Sequence, residues 1–158
     1  MAGNKPQQEF VSLNIAVVTV SDTRTLETDT SGDFLQQSLE TAGHRLFARH
    51  IVKDDVYRLR ALTANLIADE AIHTVLLTGG TGFTRRDNTV VAVSPLLDSR
   101  IDGFGEIFRQ LSFTEIGSST VQSRAFAGLS NNTLIFCMPG STGACRTAWN
   151  GIIAEQLD

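Results

Sequence analysis

The 158-residue sequence has the length of one ordinary domain, and its hydrophobic fraction of 42% is enough for a core and too high for a disordered chain. The net charge is −4 at pH 7 and Lys and Arg form no block, which argues against a nucleic-acid-binding protein. Its apolar runs are far shorter than the roughly 20 residues that span a bilayer, and no signal-peptide pattern opens it, so a cytoplasmic protein without membrane contact is expected.

Strand-like and helix-like patterns alternate along the sequence after residues 1–12, which we expect to form a flexible leader. Near-continuous apolar, β-branched runs predict buried strands at residues 13–20, 73–78 and 132–139, and residues 44–52 are predicted to form a further strand. Amphipathic segments predict helices at residues 31–43, 55–70, 89–98, 103–113, 118–128 and 142–158. This alternation is typical of a three-layer α/β/α fold with a mostly parallel central sheet, here a single domain at residues 13–158.

Local residue chemistry predicts where some of these helices begin and end. Ser31 has a side chain suited to cap the first helix, and Gly43 is suited to end it. Pro95 is expected to kink or break the third predicted helix, because its ring removes a donor and clashes with the preceding turn.

The loops that follow the strands are the expected place for a binding site. Right-handed crossovers put these loops along one edge of the sheet, and ligands bind beyond the carboxyl ends of parallel strands. Four loops meet this description, at residues 20–24, 52–55, 78–88 and 138–143.

The sequence TGGTG follows the third predicted strand. Gly79, Gly80 and Gly82 allow positive φ angles and close approach of the backbone to a ligand. Successive N–H groups in such a loop form a concave anion site, to which Thr78 and Thr81 would add hydroxyl donors. The alternative is a tight turn without a ligand. The loop is neither a P-loop nor a dinucleotide fingerprint, because no G-K-[ST] or G-x-G-x-x-G pattern is present.

Two aspartates, Asp54 and Asp87, each lie just past the end of a predicted strand. Carboxylates beside an anion site would repel the ligand, so their natural role is to hold Mg²⁺ between the protein and phosphates. The alternative for each is a turn or a helix cap. Asp22, after Ser21, has the same two interpretations, and Asp55 could be the cap that leaves Asp54 free.

Two further groups of residues could bind phosphate at this edge. Arg85 and Arg86 either clamp a phosphate or are solvated loop charges. In the last loop, Pro139 makes the turn rigid and Gly140 permits close approach. Ser141 either donates to a phosphate or caps the final helix.

Cysteine and histidine spacings predict no metal or redox site. Cys137 and Cys145 match no such motif and are expected to be buried free thiols. The three histidines are scattered and do not pair at ligand spacing, so a zinc site is not expected.

The quoted motifs resemble the MoaB/Mog family of molybdenum cofactor biosynthesis. The segment VLLTGGTGFTRRD is similar to the signature of that family, an apolar pair, TGGTG, four residues and an Asp. The segments MPGSTGACRTAWNGIIAEQLD and GFGEIFRQLSFTEIGSSTVQSRAFAG resemble its MoaB branch. The resemblance covers the chain from about Leu13 to Asp158.

This resemblance implies a compact three-layer α/β fold that assembles as a homotrimer or homohexamer. It also implies a molybdopterin adenylyltransferase, which joins the terminal phosphate of molybdopterin to AMP from ATP with Mg²⁺ and releases pyrophosphate. Asp54 and Asp87 match the two acids that carry the activity in the family. The loops with Ser21 and Asp22, with TGGTG, and with residues 139–141 match those that line the pterin and nucleotide pocket.

The chain departs from the family pattern directly after Asp87. Strongly active relatives of the Mog type continue with a VTPEA-like stretch, whereas residues 88–92 of this chain are NTVVA. This departure leaves a second hypothesis, a non-catalytic molybdopterin-binding or carrier protein in cofactor assembly. A third, a nucleotide-binding regulator unrelated to molybdenum, depends only on the expected sheet edge.

Overall fold

The computed structural model describes residues 9–158, which fold around one six-stranded sheet. Its strands are β1 (Asn14–Val20), β2 (Arg45–Val52), β3 (Thr74–Thr78), β4 (Ser99–Arg100), β5 (Phe126–Ser130) and β6 (Thr133–Met138). They are ordered β2-β1-β3-β6-β5-β4. The first four in this order run parallel, and β5 lies antiparallel to both β6 and β4. The carboxyl ends of β2, β1, β3 and β6 therefore meet at one edge.

Helices cover both faces of the sheet and give the predicted three-layer architecture. They are α1 (Thr30–Thr41), α2 (Val56–Ala68), α3 (Thr89–Val93), α4 (Asp102–Ile116), α5 (Thr142–Ala148) and α6 (Ala154–Gln156). Alternate β1 residues point to opposite faces: Ile15 belongs to the core cluster with α1, α4 and α5, and Ala16 to the cluster with α2 and α3. The expected three-layer α/β/α fold is confirmed. No helix within residues 9–158 is long and apolar enough to cross a bilayer.

The predicted helix at residues 118–128 is wrong. A 3₁₀ segment, Gly117–Gln122, is followed by strand β5, whose residues are mostly buried against β6. Asn131 and Asn132 join β5 to β6 with φ angles of 50° and 60°, which is the geometry of a two-residue hairpin turn. The Asn pair between two apolar runs was the available sequence signal, and pairing with β6 outweighs the helical pattern. The two-residue strand β4 was also missed.

The capping predictions have mixed outcomes. The first helix is capped by Asp29, which accepts from Gly32 N at 2.9 Å, so the expected Ser31 cap is wrong. Ser31 lies inside the helix, where its hydroxyl donates to the carbonyl of Gly140 at 2.7 Å. Gly43 follows the end of α1 with a φ of 92°, as expected of a helix stop.

Two other local expectations are confirmed. Helix α3 ends at Val93 and is followed only by the 3₁₀ segment Ser94–Leu96, so the α-helix is broken next to Pro95 as predicted. The last helix begins after Ser141, whose side chain accepts from Ala144 N at 3.1 Å and therefore acts as its cap.

The predicted leader falls mainly on residues 1–8, which lie outside the described part of the chain. Residues 9–12 have no regular secondary structure, and Ser12 Oγ donates to the carbonyl of Gly43 at 2.8 Å. The flexible leader and the domain boundary at residue 13 stay predictions.

Both cysteines are buried free thiols, as expected. Burial raises the pKa of the Cys137 thiol far above its usual range and that of Cys145 to about 11. Because the thiolate is the reactive form, we expect neither to react with a disulfide reagent within minutes in the native protein at pH 8. Both should react within seconds in guanidinium chloride. Titration of one thiol in the native state within seconds would contradict this burial.

Candidate functional site at the carboxyl edge of the sheet

A cleft of about 540 Å³ lies at the edge where the parallel strands end. Twelve of the predicted site residues line it: Ser21, Asp22, Asp54, Thr78, Gly79, Gly80, Thr81, Gly82, Asp87, Pro139, Gly140 and Ser141. The rest of the lining is Thr19, Val20, Arg24 and Arg86, the last of which was considered as a phosphate clamp. The four loops therefore converge on one cavity, as expected of loops that follow parallel strands.

The glycines of the TGGTG loop are required for two different reasons. Gly79 and Gly80 have φ angles of 108° and 70°, which side-chain-bearing residues rarely adopt. Gly82 does not have a positive φ, contrary to expectation. Instead, a Cβ at Gly82 would lie 2.7 Å from Oδ2 of Asp87, so the absence of a side chain lets this carboxylate pack against the loop.

Three residues of this loop that line the cleft have backbone N–H groups without a partner in the described part of the chain. Within residues 9–158, the amides of Gly80, Thr81 and Gly82 donate no hydrogen bond. Three successive free donors are suited to bind an anion, and the anion site expected from the sequence stays a prediction. The hydroxyl of Thr78, by contrast, donates to the carbonyl of Pro139 at 2.9 Å and joins two loops.

The two aspartates predicted to hold a cation are each held by neighbouring groups. Asp54 Oδ1 accepts from Asn88 N at 2.9 Å, and Asp87 Oδ2 accepts from Thr84 N at 3.0 Å and Thr84 Oγ1 at 2.7 Å. Asp22 Oδ1 accepts from Asp54 N at 3.0 Å and thereby joins the loops after β1 and β2. In each of these three carboxylates, one oxygen accepts none of these hydrogen bonds.

Asp55 is the N-cap of α2, as one alternative proposed. Its carboxylate accepts from Tyr57 N at 3.0 Å and Arg58 N at 2.9 Å. The capping role therefore belongs to Asp55, and the carboxylate of Asp54 lines the cleft.

The cleft brings Asp87 and Asp22 close enough to Asp54 to affect its pKa. The pKa of Asp54 is raised, first by burial and then by repulsion from Asp87 and Asp22, against the opposing hydrogen bonds of Asn88. The lining contains these three acids and only two arginines. A polyanionic ligand would be repelled by this lining unless a cation joined it.

The donor set fits Mg²⁺ bound together with phosphates. No group of three or more His, Cys, Asp or Glu in residues 9–158 could enclose a metal by itself. Mg²⁺ at phosphate sites is usually held by one or two carboxylates, with phosphate oxygens and waters as the other ligands. Asp54 and Asp87 can supply such a pair.

Arginine 24 is a cleft residue that the sequence interpretation missed. Its Nη1 atom lies 3.2 Å from Ser31 Oγ and 3.6 Å from Oδ1 of Asp29, so α1 orients it. The available signal was a cation four residues past the end of β1. Of the two arginines considered as phosphate clamps, Arg86 lines the cleft and Arg85 does not.

Comparison with known proteins gives one consistent family. Residues 16–158 match the family described as probable molybdopterin binding domain. The chain is 54% identical over 150 residues to molybdenum cofactor biosynthesis protein B of Escherichia coli (strain K12), covering 95% of this chain and 88% of that protein. It is 49% identical over 142 residues to the protein of the same name from Bacillus subtilis (strain 168), covering 89% and 84%.

Solved structures agree with the sequence comparison. A crystal structure of molybdenum cofactor biosynthesis protein B superimposes with a TM-score of 0.91 at 46% identity, covering 95% of this chain and 94% of that one. The tungsten cofactor synthesizing protein MoaB from Pyrococcus furiosus gives a TM-score of 0.80 at 34% identity, covering 92% of each chain.

Proposed function

This chain belongs to the family of probable molybdopterin binding domains, and on that premise we propose that it adenylylates molybdopterin in molybdenum cofactor biosynthesis. The reaction joins the terminal phosphate of molybdopterin to the α-phosphate of ATP and releases pyrophosphate, with Mg²⁺ as cofactor. The structure contains one chain, so the homotrimer or homohexamer that the resemblance implies stays a prediction.

The observation that carries the proposal is the meeting of Asp54 and Asp87 beside the free amides of the TGGTG loop. The nucleophile of this reaction is a phosphate oxygen of the substrate, so the protein needs no nucleophilic Ser, Cys or His. It has to align two polyanions and neutralise charge at the α-phosphate. Free backbone donors and paired carboxylates are suited to that task.

Each group has a separate role in the proposed mechanism. Asp54 and Asp87 would hold Mg²⁺, which supplies positive charge to the phosphates when bound. The amides of residues 80–82 would donate to phosphate oxygens and orient them. Arg24 and Arg86, on the cleft lining, would add charge-assisted hydrogen bonds.

The first test is pyrophosphate release by the wild-type protein. We expect release from ATP that requires both molybdopterin and Mg²⁺ and ceases when EDTA is added. ATP alone and molybdopterin alone serve as controls. Release without molybdopterin, or at an equal rate in EDTA, would contradict the proposed reaction.

The alternative, a molybdopterin carrier without catalysis, is favoured by the altered stretch after Asp87. Asn88 stands at its start and holds Asp54 twice, through its amide N and through Nδ2, which donates to the carbonyl of Asp54 at 3.1 Å. The first residue of the altered stretch, Asn88, therefore contacts a proposed catalytic acid. Molybdopterin binding in equilibrium dialysis, together with no pyrophosphate release, would select the carrier.

A further inference from the structure

Arg124 reaches the loop that carries Asp87 from a distant part of the chain. It lies between the 3₁₀ segment Gly117–Gln122 and β5, in the region where the sequence predicted a helix. Its Nε atom donates to the carbonyl of Gly82 at 2.9 Å, and Nη2 donates to the same carbonyl. Nη2 also donates to the carbonyl of Asp87 at 3.2 Å.

These bonds join the two ends of one loop. This loop, residues 82–87, begins at Gly82 of the TGGTG turn and ends at Asp87. The guanidinium of Arg124 binds the carbonyl at each end. The backbone amide of Arg124 also donates to the carbonyl of Thr81 at 2.9 Å. Between these ends the loop is exposed, and Phe83 at its tip has 61% of its surface in solvent.

The loop has few other contacts that could set its position. Inside it, Asp87 binds Thr84 through its carboxylate, but these bonds move with the loop. Just after the loop, Thr89 donates to the carbonyls of Gly80 and Gly79. The two bonds from Asn88 to Asp54 and the bonds of Arg124 connect the loop itself to the rest of the fold. The planar fork of an arginine suits two acceptors at once, which a lysine cannot reproduce.

We propose that Arg124 is a positioning residue that holds Asp87 at the cleft opposite Asp54. The inference rests on the proposed function for its catalytic consequence and on the loop geometry for its structural one. Arg124 is not among the residues that line the cleft, so it acts through the backbone of Gly82 and Asp87 rather than on a ligand.

The test compares Arg124→Met, Arg124→Lys and a matched control, Arg60→Met. Arg60 also binds two backbone carbonyls through one guanidinium, those of Ala92 at 3.1 Å and Val91 at 2.9 Å, and touches no residue of the loop. NMR hydrogen exchange on the full chain reports the position of the loop through the amide of Asn88, which donates to Asp54 at 2.9 Å. The amide of Thr84 is not used, because its acceptor, Asp87, moves with the loop.

We expect Arg124→Met to speed exchange at the amide of Asn88 about 10-fold or more, with Arg124→Lys between it and the wild type. Amides of β1 should exchange as before, and Arg60→Met should leave exchange at Asn88 unchanged. Unchanged exchange in Arg124→Met, or an equal rise throughout the chain, would overturn the proposal.

Kinetics supply the second readout. Arg124→Met should lower the kcat of pyrophosphate release about 10-fold with the KM for ATP within about 3-fold. A raised KM with unchanged kcat would overturn the positioning role. If the wild type releases no pyrophosphate, the proposed function fails, whereas the exchange measurement still decides whether Arg124 positions the loop.

Discussion

Replacing Asp87 with Asn is expected to lower the rate of molybdopterin-dependent pyrophosphate release by about 100-fold or more. Asp54→Asn should have an effect of the same order. Each change removes one of the two carboxylates that would hold the cation against the phosphates, and the third acid of the lining, Asp22, is engaged by the amide of residue 54 through its Oδ1 atom. The measurement is kcat and KM for ATP at saturating molybdopterin.

The loss should not arise from unfolding. The pKa of Asp54 is raised in the fold by burial and then by Asp87 and Asp22. An acid whose folded pKa lies above its unfolded value destabilises the native state at neutral pH, and this penalty is relieved as the pH falls through that folded pKa. Asp54→Asn should therefore be as stable as the wild type, or more so, in urea denaturation at pH 7.

Asp55→Asn is the matched control for this prediction. It removes a negative charge one residue from Asp54, but Asn caps helices as well as Asp does, so α2 should be unaffected. Its turnover should stay within about 3-fold of the wild type. Equal losses in Asp54→Asn and Asp55→Asn would indicate a general charge effect and contradict a specific role for Asp54.

Much of the site could be predicted because it depends on strand ends. The buried apolar runs of β1, β3 and β6 are evident from the sequence, and the loops that follow parallel strands lie at one edge of the sheet. For that reason the sequence predicts that Asp54 and Asp87, 33 positions apart, lie at the same edge of the sheet. Asp55 could likewise be predicted as the alternative helix cap, because it directly precedes α2 in the sequence.

The parts that could not be predicted depend on pairings between distant segments. Strand β5 has a helix-compatible pattern, and only its pairing with β6 makes it a strand. Arg124 lies in that misassigned region, and no local pattern shows which loop its guanidinium reaches, so its role could not be predicted. Asp29 was missed in the same way, because its partners lie on β1 and β2.

Asp29 is a fully buried acid behind the cleft. Its carboxylate accepts from Thr19 Oγ1 at 2.7 Å, from Gly32 N at 2.9 Å and from Arg49 Nη2 at 3.1 Å. Burial raises its pKa, but these three bonds and the charge of Arg49 lower it by more, so the net shift is downward. Through Thr19 and the start of α1, this network supports the wall of the cleft.

Asp29→Asn is expected to lower the free energy of unfolding by about 3 kcal/mol at pH 7, because it removes the only fully buried carboxylate that binds the largely buried Arg49 in residues 9–158. The matched control is Asp33→Asn. Asp33 binds the same guanidinium at 2.8 Å, but its side chain is 57% exposed, so its loss should cost less than about 1 kcal/mol. Urea denaturation of both variants measures the difference.

The pH dependence gives an independent check on this charge. Because the folded pKa of Asp29 is below its unfolded value, the stability it confers is fully present above about pH 4 and is lost as the pH falls through the folded pKa. The gap between the wild type and Asp29→Asn should therefore be constant from pH 5 to 7 and narrow below about pH 4. A gap that persists unchanged at pH 3 would show that packing of the side chain, rather than its charge, stabilises this wall of the cleft.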